Sequence, residues 1–310
     1  MLRQSTLRGI ALPGMAERLI TTLFADDTTV YLSCRDSYAD LQQILLTWCV
    51  AAGATFNLGK TEIIPIGSRV YREQVSTTRR LNSESLPLPA GLRIAPEGEP
   101  TRILGVWVGN NIDHDSPWEP VLKQIRLSLK GWDRPGLTIF GRSLIINMEV
   151  GGRIQYLAKV QGMSRTIRDE LALIIRSFIW PTQATPPVNM ETLHLPISKG
   201  GIGLMDIEAR LTSITLTWLQ PLLDFSSGRP AWAFIADALI AQNATTSGPQ
   251  SDRSSKLQVF LQNWTTNTSS RSSLPYAIRD LLSLAKKNGV TFNAIKIGPE
   301  LKRKMPLWLH

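Results

Sequence analysis

The sequence predicts an α+β protein in which a strand-bearing N-terminal part leads into a mainly α-helical remainder. Three observations carry this. Residues 20–33 are two β-prone runs that meet at the adjacent carboxylates Asp26 and Asp27. Leu41, Ile44, Leu45, Trp48 and Cys49 recur at i, i+3, i+4, i+7 and i+8, one apolar stripe of a helix. From Trp118 onward the apolar residues keep a helical period through three successive segments.

The first run reads as strand–turn–strand with an acidic tip. Two neighbouring carboxylates repel, and a divalent cation bound through hard oxygen ligands is a common compensation. A solvated Asp-rich turn is the other reading, because Asp favours turns. Asp36 or Ser37 can cap the next helix, which runs to about Ala52 and stops at Gly53. Asn57–Gly59 forms a turn, and Thr61–Ile66 reads as a strand with Pro65 at an edge or end. Residues 68–100 hold Arg69, Arg72, Arg79, Arg80, four prolines and few apolar side chains, which predicts a connector or surface insertion. Ile103–Val108 restores an apolar, strand-like run with Gly105 inside it.

Trp118, Val121, Leu122, Ile125 and Leu129 share one helical face, with Lys123, Arg126 and Lys130 on others. Pro135–Gly136 breaks that helix, and Gly141–Leu157 and Thr166–Trp180 are two more. A Pro-containing loop over 181–200 precedes a helix from about Asp206 to Leu223 and another over Ala231–Ala241. Residues 242–256 read as a flexible loop, followed by short helical patterns around Lys256–Asn263 and Tyr276–Lys287. The nine tryptophans are spread evenly and read mostly as core anchors.

A chain of 310 residues can bury a sizeable core, as one extended or two adjacent domains. Its net charge of +9 and pI near 9.8 favour a polyanionic partner, nucleic acid before membrane. Residues 121–180 carry ten cations (Lys123, Arg126, Lys130, Arg134, Arg142, Arg153, Lys159, Arg165, Arg168, Arg176) against four acids, a surplus of six. Such a segment either grips phosphates or is the solvated face of a helix bundle. Cys34 and Cys49 form no CxxC pair and the three histidines are scattered, which excludes a zinc site by spacing. Both cysteines read as buried small apolar residues in a reducing, intracellular setting, nucleus or cytoplasm, with no secretion signal. No window approaches ~18 apolar residues, so no membrane partner is expected.

PheAlaAspAsp at 24–27, the helix after it, PheAsnLeuGlyLysThrGlu at 56–62 and ArgIleLeuGlyValTrpValGly at 102–109 occur in that order. GlyArgSerLeuIleIleAsnMet at 141–148, SerPheIleTrp at 177–180 and GlyGlyIleGlyLeuMetAspIle at 200–207 follow. This series resembles the last part of the reverse transcriptase domain of non-LTR (LINE-type) retrotransposons, over roughly residues 8 to 210. The resemblance implies a polymerase palm, truncated to a β-hairpin, helix and strand at 1–67, and a linker or insertion at 68–100. It then implies a primer-grip-like strand and helical thumb at 101–185, and a C-terminal helical region at 186–310. It further implies RNA-directed DNA polymerase chemistry on an RNA template and DNA primer, with Mg²⁺ as cofactor. Asp26 and Asp27 would be the metal ligands, and Lys60 would act on pyrophosphate; a solvent-exposed lysine preceding a strand is the other reading of Lys60. Gly105, Lys123, Arg126, Lys130, Arg142, Arg153 and Lys159 would contact nucleic acid.

One departure from the family weighs heavily. The family's first metal-binding Asp lies on a palm strand well upstream, whereas here Glu17 is the only acid before Asp26, up to roughly 30 Å away along an extended chain. The expectation is therefore a fragment lacking the fingers and half of the palm, inactive alone. The alternative is a non-catalytic nucleic-acid-binding remnant, or an open reading frame with no cellular task.

Overall fold

The computed structural model describes residues 1–181, 186–245, 255–290 and 299–305, and within the last of these the side chain of Glu300 is not described. It is a mixed helix-and-sheet protein, with three two-stranded sheets among the described residues. Strands β1 (Thr21–Phe24) and β2 (Asp27–Val30) pair antiparallel, Thr21 opposite Val30 and Phe24 opposite Asp27. The helix after them is α1 (Tyr38–Ala52), whose N-cap is Ser37 and whose C-cap is Gly53 in the left-handed region at φ 62°. Asp36 does something else. Its carboxylate is buried and accepts the backbone N–H groups of Arg8 (2.6 Å), Gly9 (2.9 Å) and Ser33 (2.7 Å), tying the N-terminal segment to the hairpin's exit. The cluster beneath β1 and α1 is small: Leu7, Ile20 and Leu41 are buried, with Val30, Leu32, Tyr38, Ile44 and Leu45 partly so.

Strand β3 is only Glu62–Ile63, shorter than the Thr61–Ile66 expected, because Pro65 lies just past it and its carbonyl is taken by the Asn110 side chain at 2.8 Å. Residues 68–100 are more ordered than a connector. They form α2 (Arg69–Thr78) and β4 (Arg93–Ile94), which pairs parallel with β3. Val75, Leu81, Leu88, Leu92 and Ala95 are buried there, and Arg79 ties the loop by donating to the carbonyls of Pro89 (2.6 Å) and Leu92 (2.7 Å). Few apolar residues suffice because the arginine satisfies the loop's carbonyls. The run at 103–108 is a second hairpin rather than one strand. Strands β5 (Thr101–Ile103) and β6 (Val106–Val108) are joined by Leu104 and Gly105, both at positive φ (49° and 80°), as in a type I′ turn.

The largest core is helical. Helix α3 (Trp118–Trp132) buries Trp118, Leu122, Ile125 and Leu129, the stripe its sequence spacing predicts. Helix α4 (Ile139–Ile145), a π turn at Ile146–Val150, α5 (Gly151–Gln161) and α6 (Arg165–Ile179) close around it. The loop after α6 contains α7 (Met190–His194) and returns through residues 200–205. There Asn147, on the π turn, donates to the Gly203 carbonyl (3.2 Å) and accepts from the Met205 N–H (3.0 Å).

The helix expected over 206–223 is two, α8 (Ile207–Leu216) and α9 (Leu219–Leu222). These lead to α10 (Ala231–Gln242), α11 (Tyr276–Lys287) and the short α12 (Pro299–Lys304). The expected helix at 256–263 is a loop, held by the buried Gln262, whose side chain accepts from the N–H groups of Leu257 and Gln258 and from the Trp264 indole. Most of the 242–256 segment and the last five residues lie outside the described residues. Of the tryptophans expected as core anchors, Trp118 and Trp264 are buried, while Trp48 and Trp132 are exposed. Neither cysteine is buried: Cys34 is exposed and Cys49 half-buried.

Candidate functional site: an acidic hairpin tip and a basic helical face

The tip of the first hairpin is a two-residue turn, Ala25–Asp26, with Ala25 at φ 51° and Asp26 outside the left-handed region. A non-glycine residue at that φ costs on the order of 1 kcal/mol. The pleat places Asp27 on the strand and Asp26 in the turn, and both carboxylates are exposed. Leu23 and Phe24 beside them are about two-thirds exposed, so the hairpin projects with little apolar cover. Asp26 and Asp27 have neither an ion-pair partner nor a side-chain hydrogen bond among the described residues. There, no three acidic, His or Cys side chains converge either.

This donor set can be tested against the cation the motif implies. Mg²⁺ is held by one or two carboxylates together with substrate phosphates, so the pair suits one ion. A two-ion clamp on attacking and leaving oxygens needs further ligands, and the described residues do not supply them at this tip. Lys60 sits elsewhere in the chain's local structure: it ends a 3₁₀ turn, Leu58–Lys60, is exposed, and donates its backbone N–H to Asn57 Oδ1 at 3.2 Å. No ion pair joins it to Asp26 or Asp27 among the described residues.

The Gly105 turn rests on the helical body. A Cβ at Gly105 would come within 3.3 Å of the Tyr156 ring, and the Tyr156 hydroxyl donates to the Leu104 carbonyl. Gln161 completes the join as a side-chain amide paired with the Trp107 backbone, accepting its N–H at 3.1 Å and donating to its carbonyl at 3.2 Å. Tyr156 and Gln161 were not legible as partners of this hairpin, because some fifty residues separate the two sides and neither side carries a motif. One side chain of α5 thus pairs with β6 as a strand would.

Nine of the ten cations of 121–180 divide by what they touch. Arg142 is buried: it donates to the Phe178 carbonyl (2.7 Å) and Asp133 (2.7 Å), with its guanidinium 4.9 Å from the Phe178 ring centroid. Arg126 pairs with Glu170, Arg153 with Glu149, Arg165 with Asp169 and Arg168 with Glu208. Glu149 also takes hydrogen bonds from Ser128 and the Trp132 indole; the Ser128 bond is the largest cause holding its carboxyl below the usual range, and Arg153 adds to it. Lys159 lies over the Trp218 ring at 5.8 Å. Lys123, Lys130 and Arg134 are exposed and have no acidic partner among the described residues. Of the seven residues expected to meet nucleic acid, Arg142 is thus an internal brace, and Arg126 and Arg153 are charge-neutralised.

No helix among the described residues is long and apolar enough to cross a membrane. No family model matches the chain, and no curated protein does.

Proposed function

We propose that this chain is the C-terminal part of a non-LTR retrotransposon reverse transcriptase, half palm and thumb, which does not polymerise on its own. The observation that carries the reading is the acidic hairpin tip: adjacent, exposed Asp26 and Asp27 on a tight turn, followed by a capped helix and then by a second hairpin seated on a helical body. Phosphoryl transfer depends on positioning and charge neutralisation rather than on covalent chemistry. Two carboxylates alone leave the developing charge incompletely compensated. The chain by itself is therefore expected to bind a template–primer through its cations and to leave the primer unextended.

A second reading, a non-catalytic remnant that binds RNA or DNA without polymerising, is favoured by the exposed and unneutralised cations of α3. One experiment separates the two. Purified chain is given an RNA template, annealed DNA primer, deoxynucleotides and Mg²⁺, alone and with a separately supplied polypeptide bearing a palm-type Asp strand and fingers. Extension only in the supplemented reaction, abolished by Asp26→Ala, supports the fragment. Binding without extension in either reaction supports the remnant. Extension by the unsupplemented chain would contradict both.

A further inference from the structure

The ion pairs of the helical body, counted one by one, point to a specific surface. Among the cations of α3 to α6, five arginines spend their charge on Glu149, Asp133, Asp169, Glu170 and Glu208. Of the other five cations, Lys159 lies over the Trp218 ring and Arg176 is engaged within the fold, which leaves Lys123, Lys130 and Arg134, all on or just past α3. Lys123 and Lys130 lie seven residues apart on α3, two helical turns, on the face opposite Trp118, Leu122, Ile125 and Leu129. Arg134 follows immediately past the helix C-cap, Asp133. Leu127, more than half exposed, stands between the two lysines on the same stripe. Asp133, the nearest carboxylate in sequence to Lys130 and Arg134, is committed to Arg142 at 2.7 Å and does not pair with them. Glu119 lies a turn below Lys123, in the first turn of α3. Arg126, flanking the stripe, is neutralised by Glu170.

The axial spacing matters. Two helical turns separate the lysine Cα atoms by about 10.5 Å, a distance that lets flexible ammonium groups meet neighbouring phosphates of one backbone. The two ammonium groups are point charges without the bidentate fork of guanidinium, so they read backbone charge and not base sequence. The buried and paired arginines, in contrast, would have to break an internal bond before they could touch a phosphate.

We propose that Lys123 and Lys130 on the outer face of α3, with Arg134 just past its C-cap, are where this chain holds the sugar–phosphate backbone of a nucleic acid, and that the paired arginines of α3 to α6 take no part. The proposal rests on the nucleic-acid reading above and narrows it to three side chains. Each phosphate contact releases counterions and adds about 0.9 to the slope of log affinity against log salt on a duplex, so three contacts account for roughly 2.7.

The test is fluorescence anisotropy with a labelled RNA–DNA hybrid, titrated from about 50 to 200 mM salt. The triple variant Lys123→Gln, Lys130→Gln, Arg134→Gln is expected to reduce the slope by roughly 2.7, and Lys123→Gln or Lys130→Gln alone by about 0.9 each. The single variants keep the test readable if the triple one loses its fold, which circular dichroism reports. The double variant Arg126→Gln, Glu170→Gln removes a pair of opposite charges and is expected to leave the slope unchanged. If the wild-type chain binds and the stripe variants retain its slope, the surface lies elsewhere and this inference fails while the nucleic-acid reading stands. If the wild-type chain does not bind the hybrid at all, both are overturned.

Discussion

The strand-bearing region, residues 1–112, and the helical body, residues 118–214, are built from similarly apolar sequence but bury it very differently. The helical body has one contiguous core in which Trp118, Ile125, Ile146, Ile154 and Leu171 are essentially inaccessible. In the strand region only Leu7, Ile20 and Leu41 form the cluster under the first hairpin. Val75, Leu81, Leu88, Leu92, Ala95 and Ile112 are buried apart from that cluster, and none of them belongs to the contiguous core of the helical body. The physical difference lies in the backbone. A helix satisfies its own N–H and C=O groups, so four helices can converge on side chains alone. A two-stranded sheet leaves open edges and two faces to cover, and isolated hairpins are marginal in water. Among the described residues the three sheets have two strands each, too narrow for the wide apolar face a helix could close.

The largest effect should therefore come from the helical core. Leu171→Ala is expected to cost about 3–5 kcal/mol, the upper range for a leucine truncated in a dense interior. Leu41→Ala removes the same atoms from a cluster with half-exposed neighbours that can settle into the space, and should cost about 2 kcal/mol. Urea denaturation followed by helical circular dichroism measures both. Equal costs would erase the contrast between the two regions.

Legibility in the sequence follows the same divide. The stripe Trp118–Leu122–Ile125–Leu129 was readable because a helix's burial follows its own period, whatever it packs against. The cap residues Ser37 and Gly53 were readable because their chemistry is local. The join of Gln161 to Trp107 was not, since it links side chain to backbone across 54 residues without a pattern at either end. Nor was the fate of the arginines. Composition counts Arg142 and Lys123 alike, and only the fold turns one inward to Phe178 and leaves the other in water. The acidic pair at 26–27 was legible as a hairpin tip, yet its exposure depends on what surrounds it, which no local rule supplies.

Asp36 offers a sharper probe of the strand region, because there a polar residue supplies what apolar burial does not. Burial by itself would raise its carboxyl, but the N–H groups of Arg8, Ser33 and Gly9 outweigh that and hold it below its ordinary value. A lowered native value means stability present above the unfolded value near 3.8 and lost as the pH falls through the native one. Asp36→Ala leaves three backbone donors without an acceptor and should cost about 2 kcal/mol, confined to residues 1–52. Amide hydrogen exchange at Arg8 and Gly9, read as protection relative to the unfolded chain, reads this directly: protection is lower in the variant, and falls in the wild type as the pH drops below the unfolded value near 3.8. Unchanged protection of Gly9 would mean that the N-terminal segment is held by its apolar contacts alone.

The smallest expected effect separates the two hairpins. Ala25 and Leu104 each occupy the first central position of a two-residue turn at nearly the same positive φ, 51° and 49°. Glycine relieves about 1 kcal/mol of strain at such a position but loses 0.4–1 kcal/mol to the freer unfolded chain, so either substitution nets a gain of about 0.5 kcal/mol or less. Their consequences should nevertheless differ. The Leu104 turn is clamped by the Tyr156 hydroxyl and the Gln161 amide, so glycine there has little slack to exploit. The Ala25 turn has no such brace among the described residues, and relief of strain should pass into the pairing of Phe24 with Asp27. Slower exchange of the β1–β2 amides in Ala25→Gly, with no change at β5–β6 in Leu104→Gly, is the expected pair of results. The opposite ranking would mean that the acidic tip is held by its surroundings as firmly as the second hairpin is, and that its exposed carboxylates are already fixed in place.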